Sequence, residues 1–227
     1  MRNSVIIVAG GTGKRMGTAL PKQFLEVNGK PLIMFTIEKF LEFDPSIEIV
    51  LVINRFFLDY WMKIENTYGL NYPLRIISGG ETRFQSVKNG ISLLEGESLV
   101  GIHDSVRPLV SVEAIRRVYA EAEISGAAIP CIPLKESVRE ISDKSSRPLD
   151  RSLIQVVQTP QVFRSEILNK AYQTVYNEAF TDDASVVEKA GYDISIVHGD
   201  EYNLKITTPE DFEIAKILLN LQKQPLH

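Results

Sequence analysis

The sequence predicts an α/β fold, a mostly parallel sheet with helices on both faces. Three observations predict it. Short apolar, β-branched runs alternate with segments that carry apolar residues at helical spacing. The runs are continuous rather than alternating in polarity, as parallel strands buried on both sides require. Several of them end on glycine or charged residues, at the strand ends where open α/β sheets gather ligands.

The elements follow in order. Ser4–Val8 reads as a buried strand running into glycines, and Pro31–Glu42 as a helix through Leu32, Phe35, Ile37, Phe40 and Leu41. Ile47–Ile53 is a second strand, Phe57–Tyr68 a helix stopped by Gly69, and Arg75–Ser78 a short strand broken by Gly79-Gly80. Arg83–Leu94 reads as a helix, Leu99–His103 as a strand, Val112–Ser125 as a helix closed by Gly126, and Ala127–Ile132 as a strand. Ser137–Ile141 and Leu153–Gln158 then read as two strands around the polar, turn-rich segment 142–148. Residues 135–157 are therefore expected to form a hairpin arm inserted into a single domain spanning 1–227. A lone hairpin is marginal in water, and a partner subunit covering it predicts a homodimer. Helices at Arg164–Glu178 and Asp183–Ala190, a strand at Ile194–His198 and a last helix from Pro209 complete the chain. Thr208 as cap, Pro209 at the first helical position and Glu210 and Asp211 behind it mark that final start.

Composition excludes several classes. The formal charge of −4 lacks the basic excess of a nucleic-acid binder, so local positive charge must hold any anionic ligand. The single cysteine, Cys131, permits neither an intrachain disulfide nor a cysteine-based metal site, and the default setting is cytoplasmic. No apolar run is long enough to span a membrane, and residues 1–10 lack signal-peptide architecture.

The chemistry begins in Ala9-Gly10-Gly11-Thr12-Gly13-Lys14-Arg15-Met16-Gly17. Gly10, Gly11 and Gly13 let backbone amides approach a phosphate closely. A P-loop needs glycine at Val8 and serine or threonine at Arg15, and the dinucleotide fingerprint needs glycine at Met16, so the loop is neither. Lys14, Arg15 and Lys22 supply the cations that a reacting triphosphate requires; a tight turn with solvated side chains is the plainer alternative. Gly79–Val87 offers backbone approach with Arg83 and Ser86 to read a base edge, or else a capped helix start. Asp104 can hold a divalent cation or a hydroxyl and Arg107 a phosphate, or the two can simply pair. His103 reads as structural, Asp182 and Asp183 as capping carboxylates, and Lys205 carries little meaning alone.

Together these segments resemble the 2-C-methyl-D-erythritol 4-phosphate cytidylyltransferase family (IspD). The resemblance rests on Ala9–Gly17, Pro21–Leu25, Gly79–Val87, His103–Pro108, Thr159–Phe163, Thr181–Ala184 and Asn203–Asp211, in order along nearly the whole chain. It implies a Rossmann-like domain, a β-arm that interlocks a homodimer, and a divalent cation, usually Mg²⁺. It implies transfer of CMP from CTP to 2-C-methyl-D-erythritol 4-phosphate, with release of pyrophosphate. Arg15 and Lys22 would stabilise the transition state. Arg151, reaching across from the other subunit's arm, and Lys205 would position the sugar phosphate. Asp104, Arg107, Thr159, Thr181 and Ser137 would line the substrate site. Ala9, Gly10, Gly11, Gly13, Gly80, Arg83 and Ser86 would hold the nucleotide. The Mg²⁺ would sit mainly on the CTP phosphates, with Asp104 as its candidate carboxylate. Small departures accompany the match: Gly10 and Ser137 stand where relatives often carry alanine and threonine, and Ser105-Val106 replaces a common alanine pair. A ribitol-5-phosphate cytidylyltransferase and a non-catalytic nucleotide-binding protein are the alternatives.

Overall fold

A computed structural model describes residues 1–11, 20–69, 74–143 and 145–222. The chain runs β1 (Arg2–Ala9), β2 (Glu26–Val27), β3 (Lys30–Pro31), α1 (Leu32–Phe43), β4 (Glu48–Ile53), α2 (Leu58–Tyr68), β5 (Leu74–Ser78), α3 (Arg83–Ile91), β6 (Ser98–Asp104), α4 (Val112–Ser125) and β7 (Ala127–Pro133). It continues with β8 (Val138–Ser142), β9 (Ser145–Leu149), β10 (Gln155–Val157), β11 (Gln161–Arg164), α5 (Ser165–Ala171), α6 (Asp183–Lys189), β12 (Ser195–His198) and α7 (Pro209–Gln222).

The central sheet is ordered β10-β7-β11-β6-β1-β4-β5, with β12 also paired to β7. β6, β1, β4 and β5 are mutually parallel, in the registers Val8↔Asp104, Ala9↔Ile53 and Ile53↔Ser78. Their carboxyl ends therefore lie side by side, and this alignment builds the site. Strand alternation sends Val5 and Ile7 into one core with α1, α2 and α4, and Ile6 into a second with α3, α5 and α6. Helices thus cover both faces, as the sequence predicts. The C-terminal helix α7 closes a third cluster, in which Ala215 and Leu219 pack with Val27, Leu32, Leu109 and Ile206.

Local chemistry sets the boundaries. Ser111 accepts from the Ala114 amide to start α4, and Gly126 ends it at φ 91°. Gly69 ends α2 at φ 57°. At α7, the Asp211 carboxylate accepts from the Thr207 and Thr208 amides while Thr208 Oγ1 accepts from the Asp211 amide.

Three expectations need correction. The arm's second strand is β9, which starts at once after the reversal, with Ser142 paired to Ser145 and Val138 to Leu149. Leu153–Gln158 is not its partner: β10 within that run pairs antiparallel with β7 in the main sheet, Val157 opposite Cys131. The long helix expected from Arg164 ends at Ala171, and the strand Gln161–Arg164 lies antiparallel between β6 and β7 where no strand was expected. Among the described residues, no helix is long and apolar enough to cross a membrane.

Candidate active site

A cleft of about 660 Å³ opens over the carboxyl ends of β6, β1, β4 and β5. That volume suits a nucleotide-sized ligand. Each strand end contributes: Asp104–Val106 after β6, Gly10 and Gly11 after β1, Asn54–Phe56 after β4, and Gly79–Arg83 with Ser86 after β5. Lys22, Gln23 and Lys205 complete the wall. The lining carries Lys22, Arg55, Arg83 and Lys205 against Glu81 and Asp104, so the cleft is locally cationic in a chain of formal charge −4. It is the local positive charge that an anionic ligand requires.

Two of the glycines, Gly79 and Gly10, are explained by Ser86. A Cβ on Gly79 would lie 3.0 Å from Ser86 Oγ, and one on Gly10 would lie 3.2 Å from it. The two loops close onto this hydroxyl, which accepts from the Gly80 amide at 3.1 Å and donates to the Thr82 carbonyl at 2.9 Å. Gln23 fixes the first loop from beneath, its Nε2 donating to the carbonyls of Ala9 (2.9 Å) and Gly11 (3.2 Å). Asn54 fixes it from the side, donating to the Gly10 carbonyl at 3.2 Å. Ala9 is buried in the core and acts through its carbonyl.

Asp104 is the electrostatic centre. Lys205 Nζ lies 2.8 Å from its carboxylate, and Arg83 Nε and Arg107 Nε each lie 3.6 Å away. Burial would raise its pKa, but Arg83, Lys205 and Arg107 outweigh burial and hold the carboxyl well below the usual range. Among the described residues no group of three metal-ligating side chains occurs. With Asp104 already bridged to Lys205, the donor set fits a cation brought in on phosphate oxygens, with at most one protein oxygen added.

A buried network holds Asp104 in place. Its amide donates to Thr159 Oγ1 at 3.2 Å, and Thr159 Oγ1 contacts His103 Nδ1 at 3.1 Å. His103 Nε2 lies 3.2 Å from the Arg107 carbonyl, which can only accept, so the ring proton sits on Nε2 and Nδ1 accepts from threonine. Burial pushes the His103 pKa down to about 4, against the opposing pull of Asp104, so the ring is neutral. His103 is structural, as expected. Arg107 donates to the Asn203 carbonyl at 2.7 Å, and Asn203 donates to the Thr159 carbonyl at 2.8 Å.

Arg83 is held otherwise than the sequence suggests. Its guanidinium makes a two-pronged pair with Asp183, at 2.8 and 2.6 Å, and Asp183 also accepts from Tyr172 OH at 2.6 Å. Asp183 is therefore a charge partner rather than a cap; Asp182 does the capping, in a box with Ser185. Asp183, Asn54 and Gln23, with the cleft-lining Arg55 and Phe56, are among the site residues that sequence reasoning missed.

Of the predicted site residues, the cleft brings together Gly10, Gly11, Lys22, Gly80, Arg83, Ser86, Asp104 and Lys205. Arg107 and Thr159 are buried and support Asp104 from behind instead of lining the cleft. Ser137, Arg151 and Thr181 are exposed and apart from it; Arg151 donates to the Lys135 carbonyl within the arm. Gly13, Lys14 and Arg15 lie outside the described residues.

The comparisons with known proteins agree with this geometry. The family model for 2-C-methyl-D-erythritol 4-phosphate cytidylyltransferase matches residues 4–221. A relative of that name from Phocaeicola vulgatus is 49% identical over 219 residues, covering 96% of this chain and 100% of the relative. One from Bacteroides fragilis is 47% identical over the same length and coverage. The crystal structure of the 4-diphosphocytidyl-2C-methyl-D-erythritol synthase of Anaerococcus prevotii superimposes with a TM-score of 0.82 at 28% identity, covering 96% of this chain and 98% of that one. That of the Thermus thermophilus cytidylyltransferase gives 0.77 at 27% identity, covering 97% and 100%. The chain belongs to the 2-C-methyl-D-erythritol 4-phosphate cytidylyltransferase family.

Proposed function

We infer that this chain carries out the reaction of its family, transfer of CMP from CTP to 2-C-methyl-D-erythritol 4-phosphate, giving 4-diphosphocytidyl-2-C-methyl-D-erythritol and pyrophosphate. The observation that carries the reading is the cationic cleft in which two glycine turns, Lys22 and the Asp104–Lys205 pair meet over aligned strand ends.

A phosphate oxygen of the sugar phosphate attacks the α-phosphorus of CTP in line. The new bond forms there as the α–β bridging P–O bond breaks and pyrophosphate leaves. The nucleophile is already an anion, so the chain need supply no general base. Its tasks are to bring two anions together and to stabilise charge that grows on the phosphoryl oxygens. Gly10 and Gly11 give the phosphates close approach to the backbone, and Lys22 faces them. Lys205 orients the incoming phosphate, steered by Asp104. Gly80 and Ser86 present the base-side wall, with Arg83 locked by Asp183 behind it. Arg15 takes the second transition-state charge by resemblance. Asp104 is the carboxylate that would meet a divalent cation such as Mg²⁺ brought in on the CTP phosphates, which would add charge neutralisation.

The β8–β9 hairpin supports a homodimer. It forms a separate two-stranded sheet whose residues are almost all exposed, Ile141 included at 73%. A second copy covering it satisfies the stability argument. Ser137 and Arg151 would then serve the partner's cleft, and Thr181 would complete the sugar-phosphate pocket. We place the reaction in the cytoplasm, in keeping with the lone, buried, unpaired Cys131.

The test is pyrophosphate release from CTP with Mg²⁺, using 2-C-methyl-D-erythritol 4-phosphate and ribitol 5-phosphate in parallel. Faster turnover with the methylerythritol substrate is expected. Faster turnover with ribitol 5-phosphate would overturn the substrate assignment, and none with either would overturn the activity.

A further inference from the structure

The rim of the cleft after β4 carries a feature that phosphate binding does not use. Phe56 lines the cleft and is 74% exposed. Its neighbour Phe57 turns inward and packs on Phe24, with ring centroids 5.9 Å apart. One of the two adjacent aromatics therefore anchors the segment, and the other stands at the opening. An exposed phenylalanine ring gives up hydrophobic stabilisation that a covering ligand would return.

The rim is built to a fixed position. Asn54 Oδ1 accepts from the Phe56 amide at 3.1 Å, while its Nδ2 donates to the Gly10 carbonyl at 3.2 Å. One amide side chain thus ties Phe56 to the glycine loop. The Arg55 guanidinium lies over the Phe56 ring, 4.8 Å from its centroid, adding positive charge beside the aromatic face. Strand order says which part of a ligand meets the ring. β4 lies between β1, which carries Gly10, and β5, which carries Gly79 and Gly80; Asp104 lies on β6, beyond β1. Phe56 therefore sits at the base-side end, away from the Asp104–Lys205 pair where the acceptor phosphate enters.

We propose that Phe56 is a nucleotide-binding residue that packs against the cytidine moiety of bound CTP, held in place by Asn54. This rests on the nucleotide reading above and adds a contact to it. The contact is apolar and aromatic, so it acts on the nucleoside and leaves the triphosphate untouched.

Equilibrium binding separates the two. CTP and inorganic tripolyphosphate are titrated by calorimetry into the wild type, Phe56→Ala and Phe56→Tyr. Because Phe56 is exposed, the alanine variant folds normally. Phe56→Ala is expected to weaken CTP about tenfold, as loss of one base–aromatic contact does. Tripolyphosphate should bind it as tightly as it binds the wild type, and Phe56→Tyr should restore CTP binding. In turnover assays the KM for CTP rises while that for the sugar phosphate stays. Unchanged CTP binding in Phe56→Ala, or equal weakening of both ligands, would overturn the proposal. A wild type that binds tripolyphosphate but not CTP would instead overturn the nucleotide reading, and the proposal with it.

Discussion

Replacing Asp183 by alanine removes the fully buried end of the Arg83–Asp183 pair behind the cleft. The Asp183 carboxylate has no exposed surface and accepts two bonds from Arg83 and one from Tyr172. Its loss strands a guanidinium and a phenol. Breaking a buried pair from one side costs about 3–5 kcal/mol. Arg83 keeps about a third of its side chain open to water, and Asp104 remains 3.6 Å away, so the lower end applies, about 3 kcal/mol. For a chain of this size that lowers the melting temperature by roughly 6–12 °C. Urea unfolding and scanning calorimetry read both values. The double variant Arg83→Met with Asp183→Leu removes both charges and should recover most of the loss, because no uncompensated charge is left inside. A loss below about 1 kcal/mol for Asp183→Ala, the range of an exposed pair, would refute the reasoning. So would a double variant no more stable than the single one.

Two further outcomes concern His103 and Lys22. His103 is neutral in the fold, its pKa lowered by burial from 6.5 to about 4, so the unfolded chain binds a proton that the folded one refuses between those values. Stability should therefore fall as pH drops from about 6.5 to 4, by about 3 kcal/mol over the whole window, and urea midpoints for His103→Asn should lose that slope. Lys22→Ala should cut kcat by about 10²-fold or more while the fold is kept, as loss of a transition-state donor does; single-turnover pyrophosphate release measures it.

The sequence makes the frame legible where local chemistry decides. β1, β4, β6 and β7 are continuous apolar runs, and Gly69, Gly126 and the Thr208–Asp211 segment mark helix ends by backbone geometry and capping that need no tertiary partner. The arm shows the limit. Arg147-Pro148 reads as a turn by composition, yet both residues lie in β9, where a two-stranded ribbon leaves a free edge that tolerates proline. β11 carries only two apolar residues, Val162 and Phe163, between the polar Gln161 and Arg164, and its place between β6 and β7 is set by the sheet. The glycine turns are legible as site residues because they follow a strand end, and Lys22 because it adds charge close behind the first of them; Lys205 is legible only through the family resemblance. Asp183 is not: its charge partner, Arg83, lies a hundred positions earlier, and a carboxylate at a helix start already has a sufficient local explanation. Asn54 and Gln23 act through single amides, which no spacing pattern distinguishes from surface residues.

The central proposal, that the arm of one subunit completes the cleft of another, is tested most directly by mixed dimers. Arg151→Ala and Lys205→Ala are each expected to be nearly inactive with the sugar phosphate while CTP still binds. In a mixed dimer, the subunit that keeps Lys205 receives an intact Arg151 from its partner, and that site is whole. Random reassociation of the two inactive proteins should then recover roughly a quarter of wild-type turnover, since half the dimers are mixed and each has one whole site. No recovery on mixing, with dimers confirmed by sedimentation, would show that Arg151 serves its own subunit or none, and would contradict the account.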